Sequence, residues 1–395
     1  MLESLERLPD DPILGLAAAC RADTNPSKVD LTLGVYMDES GLCPVFRAIQ
    51  QAQSTLVAEE TSKVYLPPAG VADFNEGMQK LVLGEASEAL KLGRVSSIQA
   101  PGGCGALRIG AEIIQAAAPG AKVWVSDPTW PVHIPLLGSV GLQFETYRYY
   151  EPSTHGVNFD GMVEDLKRAT KGDVVLFHGC CHNPCGADLT PAQWQQIGDM
   201  AEAQGFMPFI DIAYQGLGDG LDEDAAGLRH LVERLPEVII AASCSKNMGL
   251  YRERTGCTIF VSRDQQTADA LLSKAKVAAR RVYSMPPAHG ALLAGRVLAD
   301  ADLTTLWKAE LEQMCERING LRSDLVEKLQ GATGRDFEFI RKEKGMFSFL
   351  GLSQEQAQRL REEHSVYLLN SSRINVAGVN ASNIDYLAQS IAKVL

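Results

Sequence analysis

The chain has 395 residues and a mass of 42.8 kDa, with 46% hydrophobic, 22% charged and 7% aromatic residues. That composition is globular and excludes a disordered, collagen-like or coiled-coil chain. Lys and Arg number 37 against 49 Asp and Glu, a formal net charge of −12. Such an acidic balance argues against a nucleic-acid partner, because it repels a phosphate backbone.

Residues 1–12 carry acidic groups and no apolar run, so no secretory signal is expected there. No apolar stretch approaches the roughly 20 residues that span a bilayer, so no membrane segment is expected either. The nine cysteines are odd in number and scattered. They read as reduced thiols of a cytoplasmic protein.

The first forty residues hold no strand–helix–strand unit and are expected to form an arm or to join a smaller domain. From there the chain alternates. Residues 97–100, 122–125, 174–177, 207–211, 238–242 and 257–261 are short apolar runs, the pattern of parallel strands buried on both faces. Leu107, Ala111, Ile114 and Ala118 share one helical face, and Thr190-Pro191 marks a helix start. Alternation of this kind predicts an α/β fold with a mostly parallel sheet. Ligands of such sheets sit beyond the carboxyl ends of the strands. Downstream, Leu311, Met314, Ile318, Leu321, Leu325 and Leu329 predict one long amphipathic helix. A short strand near 346–350, a helix near 354–363 and a closing helix from about Ser382 complete a smaller α+β domain.

Five segments place reactive residues just after predicted strands. Pro101 to Ala106, with Gly102, Gly103 and Gly105, lets backbone N–H groups approach an anion at a helix start, or is simply a tight turn. His178 to Gly186 invites a zinc reading. It lacks a second ligand cluster, and its residues would alternate between sheet faces, so no metal is expected. Asn183-Pro184 reads instead as a turn that projects Asn183 into a crevice. Asp211, at the end of an apolar strand, needs a partner: an arginine, a helix start, or a cationic cofactor atom. Lys246 follows the run 238–242. It is either solvated or held near a crevice with a lowered pKa, as a carbonyl-trapping nucleophile requires. Arg373, inside an apolar strand, wants a carboxylate, either internal or from a ligand. A lysine, a buried aspartate, an anion-cradling turn and spare arginines together match the needs of pyridoxal 5′-phosphate (PLP).

These segments make the chain resemble the class I, fold type I aminotransferases of the aspartate/aromatic branch. The resemblance runs from Asp11-Pro12-Ile13-Leu14-Gly15-Leu16 to Ser372-Arg373-Ile374-Asn375-Val376-Ala377-Gly378 and takes in Asp127–His133 and Tyr283–Gly290. It implies a large PLP-binding domain of residues 44–310, with 1–43 and 311–395 forming the small domain and arm. It implies that Lys246 carries the internal aldimine and shuttles the proton, that Asp211 pairs with the pyridine N–H with His133 behind it, and that Asn183 and Tyr214 bond the ring's phenolic oxygen. Trp130 would stack on the ring, and Gly103, Cys104, Ser243, Ser245 and Arg254 would hold the phosphate. Gly34, Trp130, Asn183 and Arg373 would contact the substrate. In the homodimer that the family implies, Tyr65 reaches the partner's phosphate and Arg280 a distal carboxylate across the interface.

Cys104 stands where the family usually has Ser or Thr, and a thiol is the weaker donor. Met37, Cys43, Val64 and Met285 are apolar where dicarboxylate-specific members are polar, which favours aromatic substrates. The implied activity is ping-pong transamination of Phe, Tyr or Trp, with aspartate also accepted and 2-oxoglutarate as amino acceptor. An aspartate aminotransferase is the second reading. Retention of Arg280 and Arg373 argues against a PLP-dependent lyase, and retention of Lys246 and Asp211 against an inert regulator.

Overall fold

The computed structural model describes residues 2–7 and 11–395. Met1 and residues 8–10, part of the stretch read above as lacking a signal, lie outside the described residues. No described helix is long and apolar enough to cross a membrane.

Seven strands form the main sheet: β1 Val95–Pro101, β2 Lys122–Asp127, β3 Gln143–Arg148, β4 Val174–His178, β5 Met207–Ile212, β6 Val238–Ser243 and β7 Thr255–Val261. Their order across the sheet is β1-β7-β6-β5-β4-β2-β3. The pairings β6/β5, β5/β4, β4/β2 and β2/β3 are parallel, as the apolar runs predicted. β7 departs from that reading: it runs antiparallel to both β1 and β6. Every residue of β7 is buried, so its hydrophobic pattern carries no information on direction. The reversal has a consequence for the site. The start of β7, rather than its end, joins the edge where β1, β4, β5 and β6 finish, with Thr255 opposite Pro101 and Gly256 opposite Ser243.

β3 escaped the sequence reading. It is an edge strand with exposed and half-buried residues and only Tyr147 fully inside, so it shows no apolar run. The Tyr147 hydroxyl donates to the Leu176 carbonyl at 2.8 Å, which satisfies the buried phenol.

Helices Gly102–Ala117 and Pro191–Gln204 follow β1 and β4. Thr190 caps the second through a reciprocal capping box with Gln193, with proline at the first turn. Helix Ala301–Thr333 is 33 residues long and spans two apolar clusters. Trp307, Leu311, Met314 and Ile318 pack in the cluster on one face of the sheet. Leu321, Leu325 and Leu329 pack with Val29, Leu31, Ile374 and Leu387. The early segment joins this second cluster, because Val29–Asp30 pairs in parallel with Val366–Tyr367. Strand Phe347–Phe349 pairs with Arg373–Asn375. The closing helix runs Ile384–Val394. At the start of the long helix, the Trp307 indole N–H donates to the Asn247 carbonyl at 2.6 Å, fixing the turn that carries Lys246.

Candidate functional site

The carboxyl edge of the sheet closes around a cavity lined by Gly103, Cys104, Leu107, Trp130, His178, Cys180, Asn183, Asp211, Ala213, Tyr214, Ser243, Ser245, Lys246 and Arg254. Ten of the residues singled out from the sequence thus meet on one surface, although they are spread over some 150 positions. Parallel strands aligned in register do this. His178 lies opposite Asp211, and the chain leaves the sheet at the same level after β4, β5 and β6.

Lys246 is half-buried on the turn after β6. Its Nζ sits 4.8 Å from the centroid of the Tyr214 ring. Burial lowers its pKa, against the pull of Asp211 and with help from the Arg254 charge. The solvated alternative is therefore not what the fold produces.

Asp211 finds its partner in His133, whose Nε2 lies 3.0 Å from Oδ2. Burial alone would raise the Asp211 pKa. The His133 hydrogen bond and the neighbouring charges, Lys246 among them, outweigh burial and hold it below the ordinary value. Behind His133 stands a chain that the sequence did not reveal. Thr129 Oγ1 is 2.8 Å from His133 Nδ1 and 3.2 Å from His178 Nε2. The carboxylate can only accept, so His133 Nε2 donates to it. With a neutral His133, Nδ1 accepts from the Thr129 hydroxyl, which accepts in turn from His178 Nε2–H. His178 has its pKa pushed down to about 3 by burial and by His133, so it stays neutral with one proton to give. Thr129 and His178 were visible in the motifs, but nothing local signals that they touch.

The segment after β4 does not alternate between faces as expected. Cys181 has φ of +50°. That turn is held by Asp188, whose carboxylate accepts from the N–H groups of Cys181 at 2.6 Å and His182 at 2.8 Å. Cys180, Cys181 and Asp224 consequently lie with their ligand atoms within 4.8 Å of one another. Asp224 already accepts N–H bonds from Gly216, Gly218 and Asp219. The Cys181 thiol is pushed well above its usual range by its contact with Cys180 and by burial. A protonated thiol is a poor metal ligand, so these groups read as a packed turn. Asn183 follows, 7% exposed, with its Oδ1 bare of any partner.

At the start of helix Gly102–Ala117 the chain approaches Arg254. A Cβ on Gly102, whose φ is +68°, would lie 2.6 Å from Arg254 Nη2. Arg254 itself has φ of +53° and anchors Nη1 on the Tyr251 carbonyl at 2.7 Å. Ser243 Oγ donates to Ser245 Oγ at 3.0 Å. A helix start, two hydroxyls and a guanidinium make an anion seat.

Arg373 lies outside the cavity lining, on the neighbouring wall. It is 3% exposed, and its Nη2 donates to the Thr32 carbonyl at 2.6 Å. Its guanidinium carbon is 4.4 Å from the Phe347 ring centroid, and its Nε is unpartnered. The internal salt bridge considered above is absent among the described residues. Burial brings the Arg373 pKa down to about 10, so the group remains cationic near neutrality. Phe347 was not foreseen. Its ring packs edge-on to Tyr214 at 5.9 Å and fills the space beside Gly34. A Cβ at Gly34 would lie 2.7 Å from Phe347 Cζ. Gly34→Ala is expected to tilt that ring off Arg373 and cut kcat/KM about ten- to a hundredfold with little loss of thermal stability. Steady-state kinetics beside a melting curve checks this.

Tyr65 and Arg280 are not brought to the cavity. Tyr65 is 87% exposed, and Arg280 is exposed with Nη1 donating to Ser284 Oγ at 2.5 Å. Arg281 is spoken for by an ion pair with Glu112, which leaves Arg280 as the freer of the two.

The family model "Aminotransferase class I and II" matches residues 26–391. An aspartate aminotransferase of Haemophilus influenzae is 44% identical over 397 residues, covering 100% of both chains. An aromatic-amino-acid aminotransferase of Paracoccus denitrificans is also 44% identical, over 395 residues and 100% of both chains. Among solved structures, an aromatic-amino-acid aminotransferase of Burkholderia pseudomallei, covalently bound to pyridoxal phosphate, superimposes with a TM-score of 0.98. It shares 42% identity and covers 100% of this chain and 99% of that one.

Proposed function

The chain belongs to the class I and II aminotransferases, of fold type I, and from that premise we propose that it transaminates aromatic amino acids, with aspartate as a further substrate and 2-oxoglutarate as amino acceptor. The observation that carries the chemistry is the pairing in one cavity of a half-buried amine, Lys246, with a half-buried carboxylate, Asp211, whose charge is maintained from behind by His133.

The cavity fits PLP by its donor set. Arg254, Ser243, Ser245 and the helix start at Gly103 and Cys104 suit a phosphate. Asp211 suits a protonated ring nitrogen. Tyr214, whose hydroxyl stays protonated because burial raises its pKa, and Asn183, whose side-chain amide N–H groups can donate, suit the polar ring substituent. When bound, PLP supplies a carbonyl that traps amines and a ring that accepts the electron pair released at the substrate Cα.

The remaining work falls to the chain. Lys246 would hold the cofactor and move the Cα proton on Nζ, and its lowered pKa favours the neutral amine that a general base needs. Asp211, held negative, would pair with the ring nitrogen and so favour the electron-accepting state. Trp130, in the same lining, would stack on the ring. Arg373, cationic and with an unused N–H, receives the substrate carboxylate in a dry setting where a bidentate pair orients the Cα bond.

Aromatic preference is supported by the apolar set Met37, Cys43, Val64 and Met285. Met285 offers a thioether rather than an amide, and its Sδ accepts the Leu66 N–H at 3.2 Å. Arg280 keeps only a hydroxyl partner among the described residues, so it is free to swing toward a second carboxylate or away from a ring. The exposed Tyr65 and Arg280 support a homodimer with shared sites, and residues 44–310 with 1–43 and 311–395 as its two bodies. Nine free thiols support a cytoplasmic location.

A half-reaction titration tests the assignment. Tyrosine and phenylalanine are expected to convert the cofactor to its amine form at lower half-saturation than aspartate, followed by loss of the visible absorbance. Aspartate outpacing tyrosine by about tenfold or more in kcat/KM, a difference of about 1.4 kcal/mol, would instead favour the aspartate aminotransferase reading.

A further inference from the structure

One side chain of the phosphate seat carries a reactivity that the chemistry above does not use: the thiol of Cys104. Seven of the nine cysteines are buried, Cys43 is exposed, and Cys104 lies between. It is the third residue of helix Gly102–Ala117 and lines the cavity with Ser243, Ser245, Lys246 and Arg254. Asn183, more than nine-tenths buried and with Oδ1 unpartnered, lines the same cavity, a polar side chain left for an occupant to satisfy. The thiol thus stands on the cavity wall beside Arg254, Lys246 and Asp211. Burial, with Asp211 adding to it, raises its pKa overall, and the Arg254 and Lys246 charges offset part of that.

We propose that Cys104 is a modification site gated by the cofactor: open to small electrophiles when the anion seat is empty, shielded when a phosphate fills it, and blocking the seat once alkylated. This rests on the reading of the cavity as the PLP site. In the capping step the sulfur forms a bond to carbon, the halide of an iodoacetamide leaves with the electron pair, and the thiol proton goes to buffer. A second consequence follows from the same atom. A thiol gives a phosphate a weaker hydrogen bond than a hydroxyl does. The deficit shows most in the aminated cofactor, which non-covalent contacts alone retain.

The test uses the full chain carrying Cys43→Ser, as holoenzyme and after removal of the aminated cofactor. Iodoacetamide is added, and peptide mass spectrometry follows each cysteine. The apoprotein is expected to gain one adduct, on Cys104. PLP at roughly ten times its dissociation constant should slow this about tenfold, as simple occupancy requires. Saturating inorganic phosphate should slow it as well, and the capped protein should no longer take up PLP. Separately, Cys104→Ser should bind pyridoxamine phosphate about tenfold more tightly, the scale of one hydrogen bond to a charged group. Labelling that is absent in the apoprotein, or equally fast with PLP bound, overturns the proposal. So does labelling indifferent to phosphate, or unchanged affinity in Cys104→Ser. If the protein fails to acquire a visible absorbance with PLP at all, the functional reading itself falls, a result distinct from each of these.

Discussion

Lys246→Ala is expected to reduce turnover by roughly 10⁴-fold or more while the protein still binds PLP. In the proposed reading the substitution removes both the amine that holds the cofactor and the base that moves the Cα proton, and each role alone is worth orders of magnitude. The lysine lies on a turn fixed by Trp307 and by the end of β6, and among the described residues its amine makes no hydrogen bond that folding would miss. The variant should therefore fold and keep its anion seat. Absorbance would show the aldehyde form bound without its link to the chain. An added primary amine should restore a small part of the activity, a recovery that a merely structural role would not show. Turnover within about tenfold of the parent would remove Lys246 from the chemistry.

Asp211→Asn is expected to lower kcat by about 10²- to 10³-fold, the scale of losing one preorganised charge at a reacting centre. The amide oxygen can still accept from His133 Nε2, so the change isolates charge from geometry. Asp211→Glu keeps the charge and should recover part of the rate. The depressed pKa gives a companion expectation. Its stabilising contribution is present above the unfolded value near 3.8 and is lost only as pH falls through the lower folded value. Activity lost between about pH 7 and pH 5 must then come from another group. A pH–rate profile of parent and variant separates the cases. An acid limb above about pH 5 that disappears in Asp211→Asn would contradict the assignment.

Much of this site was legible before any coordinates, and its legibility has a physical basis. A strand buried on both faces must be apolar along its whole length. The residue that follows it is where polarity can resume, and ligands gather at that same edge. Asp211, Lys246, Asn183 and the glycine turn at Gly102-Gly103 therefore stood out one by one. Helix caps such as Thr190 with Gln193 were equally readable, because the partners lie three residues apart.

What stayed hidden depended on distance along the chain. Whether β7 runs with or against its neighbours is decided by the path of the connection, not by its own seven buried residues. Yet that direction is what brings Arg254 beside Gly102. Edge strand β3 lacked the apolar run because only one neighbour covers it. The Thr129 link to His133 and His178, the Asp188 carboxylate that holds Cys181 at positive φ, and the Phe347 ring beneath Arg373 join residues 4 to 49, 7, and 26 positions apart. Arg322 likewise spends its donors on the carbonyls of Gly345 and Phe347 and on Ser348, pinning the strand that carries that ring. By itself the sequence determined which side chains can do chemistry and where strands end. Only the tertiary structure decided which of them meet, because a hydrogen bond or a ring contact is a property of two positions that local pattern cannot pair.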